Sequence, residues 1–77
     1  MKYEEGQRVR VLWLDDPSRR APIGAVKKVS PHVVTVEFDE APRNGLDKVQ
    51  KFTLRKTGEF IAADWHWVYG VPGLRAI

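Results

Sequence analysis

Val34, Val36 and Phe38 fall at every second position, with Thr35, Glu37 and Asp39 between them. A period of two puts the three apolar side chains on one face of an extended segment, which is the pattern of a strand with one buried side. The strand has a partner just upstream. Pro31 suits the second position of a tight turn, so Ser30-Pro31-His32 predicts a reversal between Ile23–Val29 and Val33–Asp39. In the upstream arm Gly24, Val26 and Val29 break strict alternation, and Lys27-Lys28 separate the two valines. That break predicts a bulge or a sharp bend at which both valines still point inward. A bent strand followed by a straight one is how a very small sheet curls into a barrel.

The remaining chain supplies more short strands. Gln7 to Leu14 alternates Val9, Val11 and Trp13 with Arg8, Arg10 and Leu12, one face apolar and the other largely cationic. Asp15 to Pro22 reads as a loop with Arg19-Arg20 near its tip. Glu40 to Asp47 is turn-rich through Pro42 and Asn44-Gly45. Lys48 to Lys56 predicts a fourth strand with Phe52 and Leu54 buried and Lys51, Thr53 and Arg55 opposite. Gly58 closes a reversal, after which Phe60 and Ile61 resume the sheet. A single helical or 3₁₀ turn is expected at Ala62-Ala63-Asp64. Trp65, Trp67 and Tyr69 alternate with His66 and Val68 as a closing strand. Gly70 to Gly73 then punctuates the chain, leaving residues 71–77 as a tail free to fray. The expected fold is all-β, a single small barrel of five or six short antiparallel strands.

One opening motif carries a resemblance. Gly6-x-x-Val9-x-Val11, Gly24-x-Val26-x-x-Val29 and Val34-x-Val36-x-Phe38-Asp39 together resemble the start of SH3-like barrels of the KOW and Tudor type. The resemblance implies a long loop between strands one and two, and a glycine opening a bent second strand. It also implies binding of nucleic acid, ribosomal components or modified peptide tails. The stretch from Lys51 to Gly58 is similar to strand–turn–strand pieces of small phage-encoded proteins.

Composition narrows the class. Seventy-seven residues leave room for one core, and 43% hydrophobic residues with three tryptophans are enough to fold it. The chain has no cysteine, so there is neither a disulfide nor a thiolate metal site. The polar start MKYEEGQ and the lack of a long apolar run point to a cytoplasmic protein with no membrane partner. Phosphate-loop, zinc-protease and serine-hydrolase motifs are all missing, and His32 and His66 lack metal-ligand spacing. His66 and Asp64 share a face by alternation, but an adjacent histidine and aspartate are usually just solvated neighbours. No catalysis, no cofactor and no metal are therefore expected.

Binding is the remaining class. The net charge is +3, with thirteen basic residues set among ten acidic ones. Arg8 and Arg10 on the first strand, Arg19 and Arg20 in the loop, Lys27 and Lys28 at the bend, and Lys51 and Arg55 on the fourth strand are the candidate phosphate contacts. Glu37 is expected to pair with some of them. Trp65, Trp67 and Tyr69 are the candidate rings, either stacking bases or forming a partner or homodimer interface. A nucleic-acid-binding module leads, and a protein-interaction or assembly module built on those rings is the alternative.

Overall fold

Six antiparallel strands follow one another around a closed barrel in the computed structural model of the chain, which describes residues 3–63 and 70–77. They are β1 (Arg8–Trp13), β2 (Ile23–Val29), β3 (Val33–Phe38), β4 (Val49–Leu54), β5 (Phe60–Ala62) and β6 (Pro72–Ala76). Each strand pairs with its successor, and β6 pairs back onto β1 to complete the ring. None of the described residues is helical.

The period-two pattern is realised in β1 and β3. Val9, Val11 and Trp13 are buried, as are Val34, Val36 and Phe38, while Arg8, Arg10 and Glu37 face water. Phe52 joins them from β4, its ring tilted against Phe38 at 6.1 Å between centroids. Gln50 also points inward, and its amide donates to the Asp47 carbonyl at 2.8 Å, which satisfies a group that would otherwise be costly to bury. Leu54, expected to be buried, is only half-covered near the barrel's lower end.

The bend in β2 is a bulge. Val26 pairs with Val36 and the next paired residue, Lys28, lies opposite Thr35, so Lys27 is the extra residue. Val29 pairs with buried Val34 yet is 38% exposed, because it has reached the open end of the barrel. The register keeps both valines on the inward face, Val29 through its pairing with Val34, and only Val26 is covered there. The turn that follows is closed by the Ser30 amide donating to the Val33 carbonyl at 2.8 Å. At the next reversal the Arg55 amide reaches the Glu59 carbonyl at 2.8 Å, with Gly58 at φ 89°.

Two further expectations are corrected. Residues 71–77 are not a tail: Pro72–Ala76 is the strand that closes the barrel, paired with β1 from Val9↔Ala76 to Trp13↔Pro72. Proline at the first residue of a strand costs no ladder bond that the strand needs, and here it is also fully buried. Ala62 lies in β5 opposite Phe52 instead of starting a helical turn. The N-terminal lead is anchored, since Tyr3 is buried, its hydroxyl donates to the Leu74 carbonyl at 2.8 Å, and its ring meets Phe60 edge-on. The closing strand expected over Trp65 to Tyr69, and the Asp64–His66 pair, lie outside the described residues.

The alternation of strand direction fixes what each end presents. The β1–β2 and β3–β4 connections lie at one end, here called the upper end. The β2–β3 and β4–β5 turns lie at the other, with β2 and β4 both running down towards it.

Candidate nucleic-acid interface

The candidate cations divide by whether an acid already holds them. Arg8 donates two hydrogen bonds to the Asp39 carboxylate, at 2.7 and 3.1 Å. Those bonds hold the Asp39 carboxyl below its ordinary range and raise the Arg8 guanidinium. Arg19 stacks over the Trp13 ring at 4.9 Å from its centroid and lies 3.9 and 4.0 Å from the Asp15 and Asp16 carboxylates. The loop that carries it is a built structure: the Trp13 indole donates to the Arg20 carbonyl at 3.0 Å, and the Asp16 and Arg19 amides close successive turns. Arg75, to which the sequence assigned no role, is held by Glu59.

Lys27, Lys28, Lys51 and Arg55 are different. All four are exposed, and none has an ion pair among the described residues. The register brings Lys28 and Lys51 onto one outer face, with Lys27 at the bulge beside Lys28 and Arg55 just past the end of β4. Thr35 of β3 lies opposite Lys28 of β2 on one side and opposite Lys51 of β4 on the other. Lys28 and Lys51 are therefore two strand spacings apart, about 10 Å. Arg55 lies four residues below Lys51, about 13 Å along the strand direction, with Thr53 between them. The bulge matters here. Without it, alternation would turn Lys28 to the same side as buried Val26; the extra residue resets the parity and keeps Lys28 outside.

Glu37, expected to neutralise part of this charge, does not. It sits in the neighbouring row, opposite Ala25 and Val49, and makes no ion pair among the described residues. Five of the described acids lie instead at the upper end, while Glu4 and Glu5 precede β1 and Glu59 precedes β5 at the other. Asp15 and Asp16 lie in the β1–β2 loop, and Asp39, Glu40 and Asp47 in the β3–β4 connection. Asp15 accepts the Val71 amide at 2.9 Å, and that bond holds its carboxyl below the ordinary value.

Arg10 and Arg20 are also exposed and without an ion pair among the described residues, but they lie away from that face. Arg10 is exposed on β1, opposite Ile23 on one side and Arg75 on the other. Arg20 borders an upper-end cleft of about 510 Å³ whose other walls include Pro22, Ile23, Glu40 and Pro42. Trp65, Trp67 and Tyr69 lie outside the described residues. Among the described residues no cluster of histidine or carboxylate side chains has the arrangement of a metal site.

The eight candidate cations are thus brought together four at a time at most. Residue type and exposure were visible in the sequence. The separation into held and unheld charges was not, because it depends on Asp39 reaching Arg8 across 31 residues. Thr35 and Thr53 were also missed as site residues, since only the pairing register places them between the cations. Compared with known proteins, the chain matches no family model, no curated protein and no solved structure.

Proposed function

We propose that this barrel is a non-catalytic binding module that associates with nucleic acid in the cytoplasm, through the outer face of β2, β3 and β4. One observation carries the proposal: Lys27, Lys28, Lys51 and Arg55 lie on that side with no acid partner among the described residues, while Arg8, Arg19 and Arg75 are each held by a carboxylate. Unheld, exposed cations are the groups that neutralise phosphates and release counterions. The resemblance of the first three strands to KOW and Tudor barrels is in keeping with such a role, as is the similarity of Lys51 to Gly58 to small phage-encoded proteins.

Fluorescence anisotropy with a labelled oligonucleotide at low salt tests it. Binding is expected, with a log–log salt slope of about −3.6 on duplex or −2.8 on single strand for four neutralised phosphates. Lys27→Glu with Lys28→Glu should weaken it at least about tenfold, whereas Arg20→Glu at the other end should leave it nearly unchanged. Absence of binding at low salt would end the proposal.

A further inference from the structure

We propose that this chain pairs with a second copy of itself, as a weak two-fold dimer, through the outer face that β1, β2 and β3 present above the bulge. The inference is independent of the nucleic-acid assignment above.

That face carries its charges in an order that is its own complement. Arg8 and Arg10 point outward from β1, and Glu37 points outward from β3 with exposed Asp39 just beyond it. β2 lies between them. Arg8 and Glu37 both pair with Ala25, Arg10 pairs with Ile23, and the Asp39 amide donates to the Ile23 carbonyl. Across the face there are thus cations on one side, Ile23 and Ala25 along the middle, and acids on the other.

Two of the four charges already hold each other. Arg8 reaches over β2 to the Asp39 carboxylate at 2.7 Å, so side chains from β1 and β3 meet above that strand. Arg10 and Glu37 are left over. Both are exposed, and neither has an ion pair among the described residues. They stand about 10 Å apart across the strands and about 7 Å apart along them. The two diagonals of this four-cornered patch cross over β2, so the Arg8–Asp39 pair bars the direct path between Arg10 and Glu37.

A second copy supplies both missing partners at once. A two-fold axis along β2 carries β1 of one copy over β3 of the other, so that Arg10 of each faces Glu37 of its partner. An unrelated protein would need an acid and a cation spaced to match; this chain has them by symmetry. Ile23, an apolar side chain left 42% exposed beside the axis, is covered in the same step. The barrel measures only 27 × 25 × 21 Å, so one convex face buries less than the about 800 Å² per partner of a standard interface, and the dimer is correspondingly weak.

Sedimentation equilibrium without nucleic acid, from about 10 µM to about 1 mM protein at low salt, tests the pairing. The mass should climb from one copy towards two across that range. Arg10→Glu sets acids against acids, and Glu37→Arg sets cations against cations. Each should weaken association at least about tenfold with the melting temperature preserved. Mixing the two variants in equal amounts should restore association, as should both reversals in one chain, because opposite charges face each other again. Wild type that stays a single copy at about 1 mM would overturn the inference. So would association that survives both single reversals, which would place the contact elsewhere, or a mixture no more associated than its components. None of these outcomes touches the nucleic-acid assignment, which is read separately with the labelled oligonucleotide.

Discussion

Glu59 and Arg75 meet across the β5–β6 seam through two parallel hydrogen bonds, the second at 2.8 Å, just below the point where Ile61 pairs with Gly73. Arg75 also donates to the Leu74 carbonyl, the same oxygen that takes the Tyr3 hydroxyl. Where the strand ladder thins out, side chains fasten the seam.

That arrangement predicts a pH-dependent contribution to stability. The hydrogen bonds from Arg75 lower the Glu59 carboxyl from its ordinary 4.5. A carboxyl whose folded value is depressed adds stability that is fully present above the unfolded value and lost as pH falls through the folded one. Glu59→Gln should therefore cost about 1 kcal/mol at neutral pH, the upper range for a partly shielded two-pronged pair. The gap in melting temperature between wild type and variant should close as pH drops below 4.5. A gap that stays constant down to strong acid would show that the pair does not fasten the seam.

Leu74 offers a direct check on the closing strand. It is 1% exposed and packs in the same core as Val9 and Val11. Leu74→Ala should cost about 2–5 kcal/mol, as for other buried leucines. Ile77, 69% exposed just beyond the strand, is the control, and its alanine variant should shift stability by less than about 0.5 kcal/mol. Denaturant melts that rank the two equally would contradict β6.

Gly24 of β2 lies directly against the backbone of β3. A Cβ there would lie 2.5 Å from the Glu37 carbonyl oxygen and 2.8 Å from the Phe38 Cα, both backbone atoms that cannot rotate aside. Gly24→Ala should force the strands apart and cost about 1–3 kcal/mol, a drop of several degrees in melting temperature for a chain this short. A melting temperature unchanged by the substitution would mean that the strands do not come so close.

The parts of this fold legible in the sequence were those written in short-range spacing. Val34, Val36 and Phe38 announce β3 because a strand side chain repeats every two residues. The bulge at Lys27 was legible because the valines around it were out of step. β6 was not, because Pro72 and Gly73 look like punctuation to any local rule. What makes them a strand is the unpaired edge of β1 waiting for them, together with Leu14 covering Gly73. Tyr3 was hidden for the same reason, since its partners are Leu74 and Phe60. The candidate site divides likewise. Lysines and arginines can be read by eye, but which of them are left unheld follows from contacts between distant segments.

Closure has a consequence for how the chain must be made. The hairpins β2–β3 and β3–β4 need only local residues and can form as soon as they are synthesised. The β1–β6 ladder joins the first strand to the last, so it is the slowest contact to gain. On a ribosome, β1 has to wait until Pro72–Ala76 has emerged from the exit tunnel. During that interval Val9, Val11 and Trp13 sit on an open edge, the kind of template on which neighbouring chains pair and aggregate. Arg8 and Arg10, charges interleaved with those residues, guard that nascent edge by repelling a second copy of itself.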